Sequence, residues 1–96
     1  KLSDRTKFDI YREEVRNISN ENYQKHFYYI SNAKKRSREW HLDHKVSISY
    51  GFENGVDVDI IGHWKNLEVI SSYDNVSKHT RCSVELSELM REINEA

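Results

Sequence analysis

Hydrophobic residues recur at helical spacing near the start of the chain. Phe8, Tyr11, Val15 and Ile18 fall three or four positions apart, the stripe that a surface helix turns toward a core. Ser3 or Asp4 can cap such a helix. The pattern predicts a helix over 3–18, an interruption at Ser19-Asn20, and a second helix over 21–30 with Tyr23, Phe27 and Ile30 on one side. Over 40–49 the period drops to two: Trp40, Leu42, Val46 and Ile48 set against His41, Asp43, Lys45 and Ser47, which predicts a strand. Residues 50–63 hold all three glycines, Gly51, Gly55 and Gly62. They read as a long loop with a short turn of helix near Val58–Ile61. A second short strand is predicted over 67–70, and a helix from 73 or 74 to about 78. Ser83 can cap a last helix over 84–94, with Val84, Leu86, Leu89, Met90 and Ile93 on its apolar side. The order helix-helix-strand-loop-strand-helix-helix is that of an α+β fold.

Composition narrows this picture. Ninety-six residues suit one small domain, with a helical part over 1–33, a central part over 40–80 and a last helix over 83–96. Hydrophobic residues are 36% of the chain and charged residues 32%, so the expected core is thin. Two Trp, six Tyr and three Phe bury much area per residue, and a bound metal would add a staple. The net charge of -1 gives no general argument for a nucleic-acid partner; only a local patch could. The one dense basic cluster is Lys34, Lys35, Arg36 and Arg38. Alone it reads as a solvated loop; beside a phosphate-handling site it reads as a contact to the backbone of DNA. The single cysteine, Cys82, rules out an internal disulfide and a multi-cysteine zinc site. It suits a reducing, cytoplasmic setting. No apolar run approaches the roughly 18 residues of a membrane helix, so no membrane partner is expected. The chain begins at Lys1 rather than Met, as a fragment or a processed product of a larger protein would.

The chemistry concentrates in three short stretches: Trp-His-Leu-Asp-His-Lys-Val-Ser-Ile at 40–48, Asn-Leu-Glu-Val-Ile at 66–70 and Asp-Asn-Val-Ser-Lys at 74–78. Taken singly, Asp43-His44, Asn66 and Asn75 are more often structural than catalytic, as turn and helix-start residues. Taken together the stretches resemble the HNH, or ββα-metal (His-Me finger), endonucleases, and within them the phage-type nucleases and homing endonucleases. The nine-residue step from Asn66 to Asn75 matches the motif's spacing, and Asn75 in the third position makes this an HNN variant. The resemblance implies a ββα-metal unit with flanking helices and metal-dependent hydrolysis of DNA, leaving 5′-phosphate and 3′-hydroxyl ends. It implies His44 as general base and Asp43 and Asn75 as ligands of one divalent ion. It gives Asn66 the task of holding the loop and the histidine through side-chain hydrogen bonds. For a phage-encoded member the setting would be the host cytoplasm.

Elementary chemistry agrees with these roles. Water attacking a phosphodiester needs a base and a counter-charge, and an imidazole titrating near 6.5 can take the proton. One carboxylate and one amide oxygen are hard ligands, better suited to Mg²⁺ or Mn²⁺ than to zinc. Neighbours on a regular strand point to opposite faces, so base and ligand can share a cleft only if the strand bends or ends at His44. Lys78, one helical turn after Asn75, and more weakly Arg81 and Lys45, are further candidates for phosphate contacts. His41 reads as a residue behind the ligands or on the surface, His63 as a loop residue, and Trp40 and Trp64 as core. Glu53, Asp57 and Asp59 read as a solvated rim on a loop packed through Phe52, Val56, Ile60 and Ile61. Two rivals remain at this level: a non-cleaving nucleic-acid-binding module on the same fold, and a small helical interaction domain. The oligomeric state, monomer or homodimer, is open.

Overall fold

The structure is a computed structural model that describes residues 2–95. Its first element, α1 (Asp4–Lys25), is one continuous helix of 22 residues, where the sequence pattern predicts two. Ser3 Oγ caps it by accepting from Thr6 N at 3.2 Å, and Lys25 in the last turn complements the helix dipole. The expected break at Ser19-Asn20 is absent because Ser19 turns its hydroxyl inward and donates to Val15 O at 2.6 Å. A serine bonded back to the carbonyl four residues earlier stays within the helix. Two short 3₁₀ turns at Phe27–Tyr29 and Ala33–Lys35 then carry the chain to the sheet.

The sheet has two antiparallel strands, β1 (Trp40–His44) and β2 (Leu67–Ser71), with Trp40 opposite Ser71 and His44 opposite Leu67. β1 stops at His44; residues 45–49 do not continue the strand, and a helix begins at Ile48. The glycine-marked stretch is not one loop. It holds α2 (Ile48–Glu53), capped by Ser47 Oγ, and α3 (Val58–Ile61), capped by Asp57. Helix α3 lies where the short turn is predicted. Gly51 is required inside α2: a Cβ there would stand 2.5 Å from the Tyr11 hydroxyl and 2.6 Å from Ile61 Cγ1. Glu53, Asp57 and Asp59 are exposed, while Val56 and Ile61 are buried. After β2, α4 (Ser72–Lys78) starts at Ser71, whose Oγ accepts from Asp74 N at 3.1 Å. The last helix, α5 (Leu86–Asn94), begins two residues later than its sequence signal, with no side-chain cap. Ser83 instead approaches Lys45 O and Glu68.

The result is α+β. One core gathers Val15, Val46, Val56, Ile61 and Leu89 between α1, α2, α3 and α5. A second gathers Ile30, Ala33 and Leu67, with Tyr23, Phe27, Leu42 and Trp64 against them. Trp64 and Trp40 are half-buried; Trp64 stacks with His26 and with His63. α4 packs against both strands, and α1 faces β1 across a cleft. None of the described helices is long and apolar enough to cross a membrane.

Candidate active site

β1 ends at His44, and the adjacent side chains of Asp43 and His44 both line one cleft of ≈ 380 Å³. Its walls come from α1, β1, α4 and the start of α2, which supplies Ile48 and Ser49. β1 supplies Asp43 and His44, α4 supplies Asn75 and Lys78 one turn apart, and α1 supplies Phe8, Arg12 and Arg16 at four-residue steps. A second, smaller cleft meets the first at His44 and is lined by Arg16, Ser19, Asn20 and Arg36.

Asp43 and His44 are both buried. Asp43 Oδ2 lies 2.9 Å from Lys78 Nζ, yet the pair is too poorly angled for a hydrogen bond, and this sealed oxygen accepts none. Lys78 Nζ instead donates to His44 O at 2.7 Å. Among the described side chains that are not exposed, Asp43 Oδ2 is the one buried polar atom without a hydrogen bond, an arrangement that costs free energy unless a cation answers it. His44 Nε2 lies 2.7 Å from Ser19 Oγ. Burial, then the Lys78 and Arg16 charges, push the His44 pKa down to about 4. The ring is therefore neutral near pH 7.

Asn75 is set by His41. His41 Nε2 lies 2.9 Å from Arg38 O, and a carbonyl only accepts, so that nitrogen carries the proton. In a neutral ring Nδ1 then accepts from Asn75 Nδ2 at 3.2 Å, which leaves the Asn75 amide oxygen uncommitted. One buried carboxylate oxygen without a hydrogen bond and one free amide oxygen, in the same cleft, are a donor set that fits a hard divalent cation. Among the described residues no three His, Cys, Asp or Glu side chains cluster as a metal site.

Asn66 stands apart from the cleft. It is fully buried, with Oδ1 accepting from Val46 N at 2.7 Å and Nδ2 donating to Val46 O at 3.0 Å and Ile61 O at 2.7 Å. Its own carbonyl accepts from Lys45 N. The side chain therefore holds the chain just beyond β1 to the end of α3, as the expected loop-holding role requires, and its hydrogen bonds go to Val46 and Ile61 rather than to the His44 ring.

The basic candidates separate. Lys78 is in the main cleft and Arg36 in the smaller one. Arg36 is held by Asn20 Oδ1 at 3.2 Å and stands 4.6 Å over the Tyr23 ring. Lys35 stands 4.5 Å over Trp40. Lys34, Arg38 and Lys45 line neither cleft, and Arg81 is bonded to the carbonyls of Ser77 and Lys78 at the end of α4. Sequence reasoning does not single out Arg12, Arg16 or Ser19. Their signal is positional: each lies one place beyond a member of the Tyr11, Val15 and Ile18 stripe, on the flank that such a helix shows to a neighbouring cleft. His63 caps the turn at Trp64–Asn66 through Nδ1.

Comparison of the chain with family models, with curated proteins and with solved structures gives no match.

Proposed function

We propose that this chain is a metal-dependent DNA endonuclease of the HNH (ββα-metal) kind, in its HNN form. The observation that carries the reading is the shared cleft: Asp43 and His44, consecutive in sequence, line it together with Asn75 and three cations, Arg12, Arg16 and Lys78. The β1–β2–α4 order and the resemblance of 40–78 support it from the side of the fold. Asp43 Oδ2 and the Asn75 amide oxygen would hold one Mg²⁺ or Mn²⁺ ion. When bound, such an ion supplies charge neutralisation at a non-bridging phosphate oxygen and at the leaving 3′ oxygen. His44, neutral near pH 7, takes a proton from the water that attacks phosphorus. The P–O3′ bond breaks, leaving a 5′-phosphate, and the departing oxygen ends as a 3′-hydroxyl with a proton from solvent. Burial and cations make the free imidazole a weak base; a phosphodiester anion beside it raises its pKa again. Arg12 and Arg16 pair with phosphates along the strand.

The test is incubation of supercoiled plasmid with the protein in Mg²⁺ or Mn²⁺ and in EDTA. Nicked or linear product in metal alone is expected, and His44→Ala should cut about 10²–10⁴-fold more slowly. A His44→Ala protein that cuts at the normal rate removes the histidine from the mechanism.

One observation favours a second reading. Lys78 Nζ already sits beside Asp43 Oδ2, as a permanent counter-ion would in a nucleic-acid-binding module that does not cut. Calorimetric titration with Mn²⁺ separates the two, since that module binds DNA without binding the ion.

A further inference from the structure

We infer that Ser19 of α1 fixes the tautomer of His44, and so decides which ring nitrogen faces the cleft as the base. The inference rests on His44 being the base, and it adds a positioning residue from a helix outside the 40–78 stretch. Ser19 is buried, and its hydroxyl makes two short contacts, to Val15 O at 2.6 Å and to His44 Nε2 at 2.7 Å. A hydroxyl has one proton to give. The Val15 carbonyl can only accept, and two oxygens at 2.6 Å without a proton between them would set lone pair against lone pair. Ser19 therefore spends its proton on Val15 O, and its remaining lone pairs face His44 Nε2. That nitrogen must be the donor, which puts the proton of the neutral ring on Nε2 and leaves Nδ1 with its lone pair.

Nδ1 makes no hydrogen bond among the described residues, and it is not one of the sealed buried atoms. It is thus the nitrogen free to take a proton from water. The continuity of α1 has a purpose in this arrangement. A break at 19–20 would release the hydroxyl from Val15 and with it the direction of the hydrogen bond. A tautomer reversed at His44 would present an N–H to the water, which cannot act as a base.

The experiment is nitrogen-15 NMR of the histidine-labelled chain at neutral pH, without metal or DNA. The wild type should show His44 as the Nε2–H tautomer. In Ser19→Ala, which removes the acceptor and retains a residue suited to helix, His44 should become a mixture of tautomers. Plasmid cleavage should fall about 10–100-fold in kcat, with KM little changed, as for the loss of an orienting partner. Ser19→Thr, which restores a hydroxyl at the same atom, should recover the Nε2–H tautomer. A wild-type spectrum with the proton on Nδ1 overturns the inference whatever the variants do. So does a Ser19→Ala spectrum identical to wild type. If the tautomer behaves as expected but the wild type does not cut DNA, the nuclease reading fails while the coupling of Ser19 to His44 stands.

Discussion

Lys78 and Asp43 form the tightest charge relation in the cleft. The carboxylate oxygen at 2.9 Å from Nζ has no hydrogen bond of its own, so Lys78 neutralises it without satisfying it. A cation that coordinated Asp43 would have to displace that ammonium. Lys78→Met should therefore destabilise the metal-free protein by about 1–3 kcal/mol, the cost of a largely buried, unanswered acceptor, and should tighten Mn²⁺ binding. Thermal unfolding with and without Mn²⁺ reads both effects: the metal should raise Tm more in the variant than in the wild type. Equal increments would mean that Lys78 does not compete for the site. His44 gives a second expectation at this scale. Its folded-state pKa is lowered to about 4 by burial, Lys78 and Arg16, whereas an unfolded histidine titrates near 6.5. Between those values the unfolded chain binds the proton that the folded chain refuses. Stability is thus full above about 6.5 and falls as pH drops toward about 4, by roughly 3 kcal/mol from this residue. His63, also lowered by burial and by the Lys65 and His26 charges, acts in the same direction. Denaturant unfolding of wild type and His44→Gln across this window isolates the His44 share; parallel curves would contradict it.

Elements are held at the cleft by backbone bonds as much as by the core. Asn66 answers three backbone groups at the junction of β1 and α3 from a fully buried position. Asn66→Ala removes all three partners and should cost about 2–4 kcal/mol, read as a lower urea midpoint. Loss of cleavage in that variant should follow the loss of folded protein, because the side chain touches neither cleft; a fully folded, inactive Asn66→Ala would place it in the chemistry after all. Much at this scale is legible in the sequence because the causes are local. The end of β1 follows from the need to put Asp43 and His44 in one cleft, and α3 and α4 carry their own caps at Asp57 and Ser71. The illegible parts have distant causes. Ser19 reads as a helix breaker until Val15 O and His44 are placed around its hydroxyl. Gly51 reads as a loop residue until Tyr11 and Ile61 crowd it. Asp43, His44 and Asn75 stand out by spacing, whereas Arg12 and Arg16 mark only the flank of the α1 stripe and reach the cleft through the packing of that helix.

Charge distribution over the whole molecule decides how a chain with 15 basic and 16 acidic residues could hold a polyanion. Net charge gives no attraction, so any must come from segregation. The cations Arg12, Arg16 and Lys78 line the main cleft and Arg36 lines the smaller one beside it. Glu53, Asp57 and Asp59 are exposed on α2 and α3 and line neither. Arg16 borders both clefts, and a strand laid across His44 would pass it. Each phosphate neutralised by such a side chain releases counterions, so binding should weaken with salt at a log–log slope of about −3 to −4 for three or four contacts. Arg16→Gln should lower affinity at every DNA sequence alike and reduce the size of that slope by about 1. Arg91, which pairs with Glu95 on α5, offers the control: Arg91→Gln should leave both slope and affinity in place. Fluorescence anisotropy of a labelled duplex in EDTA, across a salt series, measures binding without cleavage. If the two variants shift the slope equally, the DNA does not lie along α1.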